Sequence, residues 1–346
     1  MLMPITSSHT DSNILVVGPS WVGDMVMAQS LFMTLRELNP DCSIDVLAPA
    51  WSRPLLERMP EVSGAIEMPL GHGEFGLIKR FSLGKTLRDN HYSQAIVLPN
   101  SWKSALVPFF ANIPKRTGNL GEMRYGLLND ARKLDKQALP MTVQRFCAHA
   151  YPADYIDLPE TTPIPKLSVA DKGIADACAN HSLYSDAKIL VLCPGAEYGA
   201  AKRWPTIYYA KVAQYWLEQG GQVWLFGSQK DQTVTAELNA HTKDRCVDLA
   251  GRTSLGEAID LMSMADFVVS NDSGLMHVAA SLQRPLVSLY GSSDPGFTPP
   301  LNKQAHILRL GLDCSPCFKR ECPLGHLDCL NKLEPQQVLD ILEQAS

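Results

Sequence analysis

Ile14-Leu15-Val16-Val17-Gly18-Pro19-Ser20-Trp21-Val22-Gly23-Asp24-Met25 joins a short, apolar, β-branched run to a turn punctuated by glycine and proline, and then to a carboxylate that opens a helix. A strand, a tight turn and a helix in that order begin a βαβ unit. Open α/β sheets bind their ligands beyond the carboxyl ends of the strands, which puts Asp24 at the ligand end. Gly18 and Gly23 do not make the G-x-G-x-x-G fingerprint that seats a dinucleotide pyrophosphate. The turn is built to present an acid.

Outward from that turn, Met25 to Leu38 reads as a helix with Val26, Leu31 and Leu35 among its apolar positions, and Ser43 to Ala48 as the next strand. Gln94 to Leu98 continues the alternation. Between Asp157 and Lys166 a proline-rich stretch without periodicity reads as a linker. The pattern then restarts. Lys188 to Cys193 is a strand ending in Pro194-Gly195-Ala196, and Pro205 to Gln219 is a helix with proline in its first turn and Gly220-Gly221 after its end. Gln222 to Phe226 and Asp266 to Ser270 are further strands, the second running into Asn271-Asp272-Ser273-Gly274. The class is α/β, with two Rossmann-like halves, 1–166 and 167–346, and a cleft between them where two substrates can meet.

The 346 residues allow two cores, and 45% hydrophobic with 19% charged residues is the composition of a soluble globular protein. No apolar run approaches the roughly 20 residues of a membrane-spanning helix. Met1 to Asn13 lacks the basic start and apolar centre of a signal peptide, so a cytoplasmic address with nine reduced cysteines is expected. The net charge of -5 argues against a nucleic-acid partner. That charge is uneven: Gly71 to Pro140 holds eleven basic and five acidic residues, an excess of six, which leaves -11 elsewhere. Such an excess suits an anionic substrate or a membrane surface, and equally a solvated basic face.

Four constellations carry chemistry. Asp24, at the amino end of a helix, is either a general base or an ordinary helix cap. Asn271-Asp272-Ser273-Gly274-Leu275-Met276-His277 sets a small polar turn before a helix, an anion site suited to a diphosphate, with His277 one turn in. His277 also fits as a polar side chain packed beside a capped helix. Lys202-Arg203, between a strand end and a helix start, offers an ammonium to phosphate oxygens or lies on the surface. Cys314-x2-Cys317-x4-Cys322-x6-Cys329 suggests a structural zinc site of four thiolates, against reduced thiols or a disulfide.

With these motifs in view, the sequence resembles the bacterial ADP-heptose:lipopolysaccharide heptosyltransferases, glycosyltransferase family 9. The resemblance runs from Ile14 almost to the carboxyl end. It is carried by Gly18 to Met25, Met68-Pro-Leu-Gly-His-Gly73, Leu98-Pro-Asn-Ser101 with Lys103-Ser104-Ala105, Gly121 to Asp130, Cys193-Pro-Gly-Ala196, Lys202-Arg-Trp-Pro205 and Asn271 to His277. The form Pro-Ser-Trp-Val-Gly-Asp looks like the members that add the second heptose.

The resemblance implies a GT-B fold, two Rossmann-like domains whose parallel sheets face each other across a cleft, and an inverting transfer that requires no cofactor or catalytic metal. The family's base falls on Asp24, its donor-phosphate lysine on Lys202, and its donor-side turn on Asp272, Ser273, Gly274 and His277. The donor implied is ADP-L-glycero-D-manno-heptose, bound by 167–346. The acceptor implied is Kdo-lipid A already carrying one heptose, bound by 1–166 during peripheral contact with the inner membrane. Lys103, Arg116 and Arg124 are the first candidates for its phosphates and carboxylates. The last helix is expected to pack on its own domain or return to the first. Three alternatives remain open: transfer onto Kdo, a non-catalytic nucleotide-sugar-binding protein, and an NAD-dependent oxidoreductase with Asp45 on the ribose.

Overall fold

The structure, a computed structural model, describes residues 12–71, 73–155, 159, 161–184 and 186–345. His72 of the Met68 to Gly73 motif, residues 1–11, and parts of the expected linker (157, 158 and 160) lie outside the described residues. The chain forms two compact units: one of segments up to Ser20, Ala28–Leu139 and Val143–Pro163, the other of Trp21–Met27, Pro140–Thr142 and Ile164 onward.

The first unit is a six-stranded parallel sheet of β1 (Asn13–Val17), β2 (Ser43–Ala48), β3 (Gly64–Glu67), β4 (Gln94–Val97), β5 (Lys115–Asn119) and β6 (Asp130–Arg132), in the order β3-β2-β1-β4-β5-β6. Strand β1 is central, pairing Val16 with Val46 on one side and with Ile96 on the other. A strand paired on both sides and covered on both faces reads as a continuous apolar run, and Ile14 to Val17 are all buried. Leu15 and Val17 pack with Val97, Leu106 and Val107 in the unit's core.

In the second unit, β7 (Ile189–Cys193), β8 (Gln222–Leu225), β9 (Val247–Asp248), β10 (Phe267–Asn271), β11 (Leu286–Leu289) and β12 (Ala305–Leu308) form another parallel sheet, ordered β12-β11-β10-β7-β8-β9. Counted from its own first strand, this is the same order as the first sheet. In each, the connection reverses direction beside the first strand, at β1/β4 and at β7/β10, and such a reversal opens a crevice at the carboxyl ends.

The helix Thr206–Glu218 buries Tyr209, Val212, Ala213 and Trp216 against Leu190, Leu192, Val223 and Leu225. The last helix, Gln336–Ala345, adds Val338 and Leu342 to this same cluster, so it stays with the second unit's core. Burying a leucine such as Leu342 in this way contributes about 2 kcal/mol. Trp204 fixes the approach to that helix, its indole N–H donating to the Leu333 carbonyl at 2.8 Å. Among the described residues no helix is long and apolar enough to cross a membrane.

Candidate active site

The reversal point of the second sheet is held shut by one amide. Asn271, fully buried at the end of β10, donates from Nδ2 to the Pro194 carbonyl at 2.7 Å and accepts at Oδ1 from the Trp204 N–H at 3.1 Å. A buried amide satisfied at both ends is a rigid tie. It pins the loop after β7, and with it the short turn Ala200–Lys202, to β10. Lys202 Nζ therefore meets Asp272 Oδ2 at 2.5 Å, just before the eight-residue helix Gly274–Ser281. Tyr198 flanks the pair: Lys202 Nζ lies 5.1 Å from its ring centroid and the Arg320 guanidinium 5.3 Å, while its hydroxyl donates to the Phe318 carbonyl at 2.8 Å. A cation held by carboxylate and ring, beside the free amides of a helix start, is suited to a diphosphate.

Asp24 is the third residue of the helix Val22–Leu38, in its first turn and not at its cap. Its segment, Trp21–Met27, groups with the second unit. Burial pushes its carboxyl up to about 6; the negative Asp272 adds to the rise and the Lys202 ammonium opposes it. His277 goes the other way. It is buried, which drives its imidazole down to about 4, with Asp272 resisting and Lys202 assisting. At neutral pH the site thus holds a carboxylate close to its titration point and an uncharged imidazole. Two glycines permit this packing: a Cβ on Gly23 would lie 2.6 Å from His277 Cδ2, and one on Gly274 would lie 2.8 Å from Val22 Cβ.

All the residues expected on the donor side, Lys202, Asp272, Ser273, Gly274 and His277, fall at this reversal point, and Asp24 is electrostatically coupled to Lys202 and Asp272. Asn271, Tyr198 and Arg320 carry structural weight that the sequence reading did not assign. For Asn271 a signal existed, a polar amide closing an otherwise apolar strand. Nothing in the spacing marks Arg320, which arrives from more than a hundred residues further along the chain than Tyr198.

The three cations expected on the acceptor side differ. Lys103, half-buried in the turn Trp102–Ala105 after β4, reaches the Glu74 carbonyl at 3.3 Å. Arg116 spends its guanidinium on the Leu127 and Ile113 carbonyls, both at 2.6 Å. Arg124 is fully buried, clamping the Pro99 carbonyl at 2.7 Å and the Asn119 carbonyl. It therefore holds the ends of β4 and β5 together from a buried position. Asp45, the ribose ligand of the oxidoreductase alternative, sits in mid-strand and accepts from the Tyr92 hydroxyl at 2.5 Å.

Cys314, Cys317, Cys322 and Cys329 are free thiols, partly exposed; burial pushes the Cys329 thiol up, and the other three are close enough to push it further. Cys322 is held low by main-chain N–H groups, that of Leu327 foremost. Among the described residues, however, no three His, Cys, Asp or Glu side chains are disposed to hold a metal ion. His326 is already occupied, accepting from the Asp328 N–H at 2.9 Å. The spacing that suggested structural zinc is not matched by a converged ligand set.

Comparison with known proteins follows the same lines. The profile of glycosyltransferase family 9 (heptosyltransferase) matches residues 80–328. The chain is 51% identical over 337 residues to lipopolysaccharide heptosyltransferase 2 of Salmonella typhimurium, covering 95% of this chain and 97% of that protein. It is 50% identical, with the same coverage, to the protein of that name from Escherichia coli K12. The solved structure of E. coli ADP-heptose lps heptosyltransferase II superposes with a TM-score of 0.86 at 48% identity, covering 96% of this chain and 98% of that one.

Proposed function

Because this chain belongs to glycosyltransferase family 9, the heptosyltransferases, we propose that it moves L-glycero-D-manno-heptose from ADP-heptose onto the first heptose of the lipopolysaccharide inner core. The observation that carries the reading is the constellation of Lys202 paired to Asp272 at 2.5 Å with Asp24 tuned to about 6 beside them. A base is most effective when its own pKa lies near the working pH.

In this reading Asp24 takes the proton from an acceptor hydroxyl as that oxygen attacks the anomeric carbon on the face opposite ADP. The bond to the diphosphate breaks with inversion, and its electron pair leaves on the ADP oxygen. Lys202 and the amides of Ser273 and Gly274 stabilise that growing charge, an arrangement in place before reaction and therefore needing little reorganisation. Asp272 keeps Lys202 aimed, and neutral His277 packs behind the turn that carries Asp24. The first unit takes the acceptor, Kdo-lipid A bearing one heptose, with Lys103 as the candidate cation whose ammonium makes only one main-chain contact among the described residues. The acceptor's lipid brings the protein into peripheral contact with the cytoplasmic face of the inner membrane.

A transfer assay with ADP-heptose and defined core acceptors bearing zero or one heptose tests this. Turnover is expected only with one heptose present. Turnover with the bare Kdo acceptor would favour transfer onto Kdo, and ADP binding without transfer to either would favour a non-catalytic nucleotide-sugar binder.

A further inference from the structure

One helix of the first unit packs Leu83 on the core yet leaves several other apolar residues outside. In Leu77–Thr86 the buried residues are Arg80 and Gly84, whereas Leu77, Ile78 and Phe81 are exposed, Ile78 by 83%. A surface helix of a soluble protein normally turns its apolar stripe inward. Here the inward arginine has a task of its own: its Nε donates to the Phe75 carbonyl at 2.7 Å, and its two terminal nitrogens reach the Lys103 carbonyl at 3.2 Å and the Glu74 carbonyl at 3.3 Å. Those bonds hold the loop before the helix against the turn Trp102–Ala105. As a result Phe75 and Trp102, both exposed, stack with centroids 6.0 Å apart. The apolar surface is therefore fixed by a buried clamp. Isolated apolar residues on a surface need no explanation, but a contiguous, braced group does.

Charge selects the occupant. From Phe75 to Arg88 there is no acidic residue, and Lys79, Lys85 and Arg88 are exposed cations. Lys85 Nζ stands 5.4 Å from the Phe81 centroid, with its charge at the rim of the apolar group. The nearest acids in sequence are Glu74 and Asp89, at the two ends of this stretch, and Glu122, from the next loop, is taken up by the Trp102 N–H, which donates to it at 2.7 Å. An apolar face edged by lysine and arginine is the pattern that lies in the headgroup region of an anionic bilayer. Each basic residue near such a surface strengthens binding about fivefold.

We infer that Phe75, Leu77, Ile78, Phe81 and Trp102, with Lys79, Lys85 and Arg88 around them, dock the first unit on an anionic phospholipid bilayer. The inference rests on the proposed lipid-borne acceptor for its purpose. The patch adjoins the loops after β3 and β4, and these belong to the sheet end that includes Lys103.

The test uses the full chain and vesicles of phosphatidylcholine, alone or mixed with phosphatidylglycerol, without any lipopolysaccharide. Wild type is expected to co-sediment with the mixed vesicles and far less with the neutral ones. Ile78→Glu should lower the partition coefficient on the order of tenfold or more, as should Lys79→Glu combined with Lys85→Glu. Ile78 is so exposed that its variant should melt with the wild type and bind ADP equally. Unchanged partition of Ile78→Glu, or wild-type binding indifferent to phosphatidylglycerol, would overturn the inference. So would a wild-type dimer that Ile78→Glu dissociates while neither form binds vesicles, since the occupant would then be a second copy. Transfer to a delipidated core acceptor is measured in parallel: its absence in wild type, with vesicle binding intact, defeats the functional reading and leaves the docking surface standing.

Discussion

The two sheets have the same strand order and use their carboxyl ends in opposite ways. At the β7/β10 end the polar groups are buried and paired with one another: Asn271 on main chain, Lys202 on Asp272, His277 neutral in the interior. At the β3/β4 end the arginines are spent internally, Arg80 and Arg124 both clamping carbonyls, and aromatic rings are turned to solvent. A buried, preorganised polar set can stabilise charge that develops during a reaction. Braced loops with exposed rings and lysines are suited to holding something large that does not itself react. In the proposed reading one scaffold thus supports a chemical end and a holding end, and the difference lies in whether the charged groups at the strand ends pair with one another or with main chain.

If that contrast is right, the largest losses come from the second end. Asp24→Asn should lower kcat by a factor of about 10² to 10⁴ while ADP binding by calorimetry stays within about twofold. Full turnover in this variant would remove Asp24 from the chemistry. Lys202→Met comes next, at about 10² to 10³ in kcat/KM. It carries a second signature: the Lys202 ammonium holds the Asp24 carboxyl down, so its removal should move the acidic limb of the pH profile of kcat/KM upward from about 6. A limb that stays in place would show that Lys202 acts on the donor alone.

At the first end the corresponding experiment separates clamp from contact. Arg124→Met leaves the Pro99 and Asn119 carbonyls without their donor and should cost about 2 to 4 kcal/mol in urea unfolding. Lys103→Met, on a half-buried side chain, should leave stability within about 0.5 kcal/mol and raise KM for the core acceptor severalfold. A stable Arg124→Met protein with a raised KM would erase the distinction between the two ends.

The parts of this division that were legible in the sequence are those with a local signal. The apolar runs at Ile14 and Lys188, the glycine and proline turns after them, and the polar segment Asn271 to His277 are each contiguous. They located both sheets and the reversal-point loops that carry Lys202 and Asp272 to His277. Helix starts were less exact, since Val22 and Gly23 precede Asp24 inside the helix without an apolar period of their own. Long-range partners were not legible. Whether Arg124 faces solvent depends on carbonyls at Pro99 and Asn119, and composition sees only a cation. The cysteine spacing does bring four thiols near one another; spacing along the chain constrains proximity, and coordination further requires sulfurs that converge, which no group among the described residues does.

A last expected effect probes the chemical end from the side of stability. The folded Asp24 value of about 6 lies above the ordinary 3.8, so folding favours the protonated acid, and the ionised carboxylate is a cost to the native state. That cost is fully present above the folded value and fades as pH falls through 6 toward 4. Asp24→Asn, which removes the charge and keeps the shape, should therefore stabilise the protein by about 2 kcal/mol at pH 8, after allowance for the partly accessible side chain. The gain should shrink to about a fifth of that at pH 4. An equal gain at both pH values would mean that packing and not charge is relieved. The same variant is thus expected to be slowest and most stable, because the desolvation that makes Asp24 a base near neutral pH is the desolvation that the fold must bear.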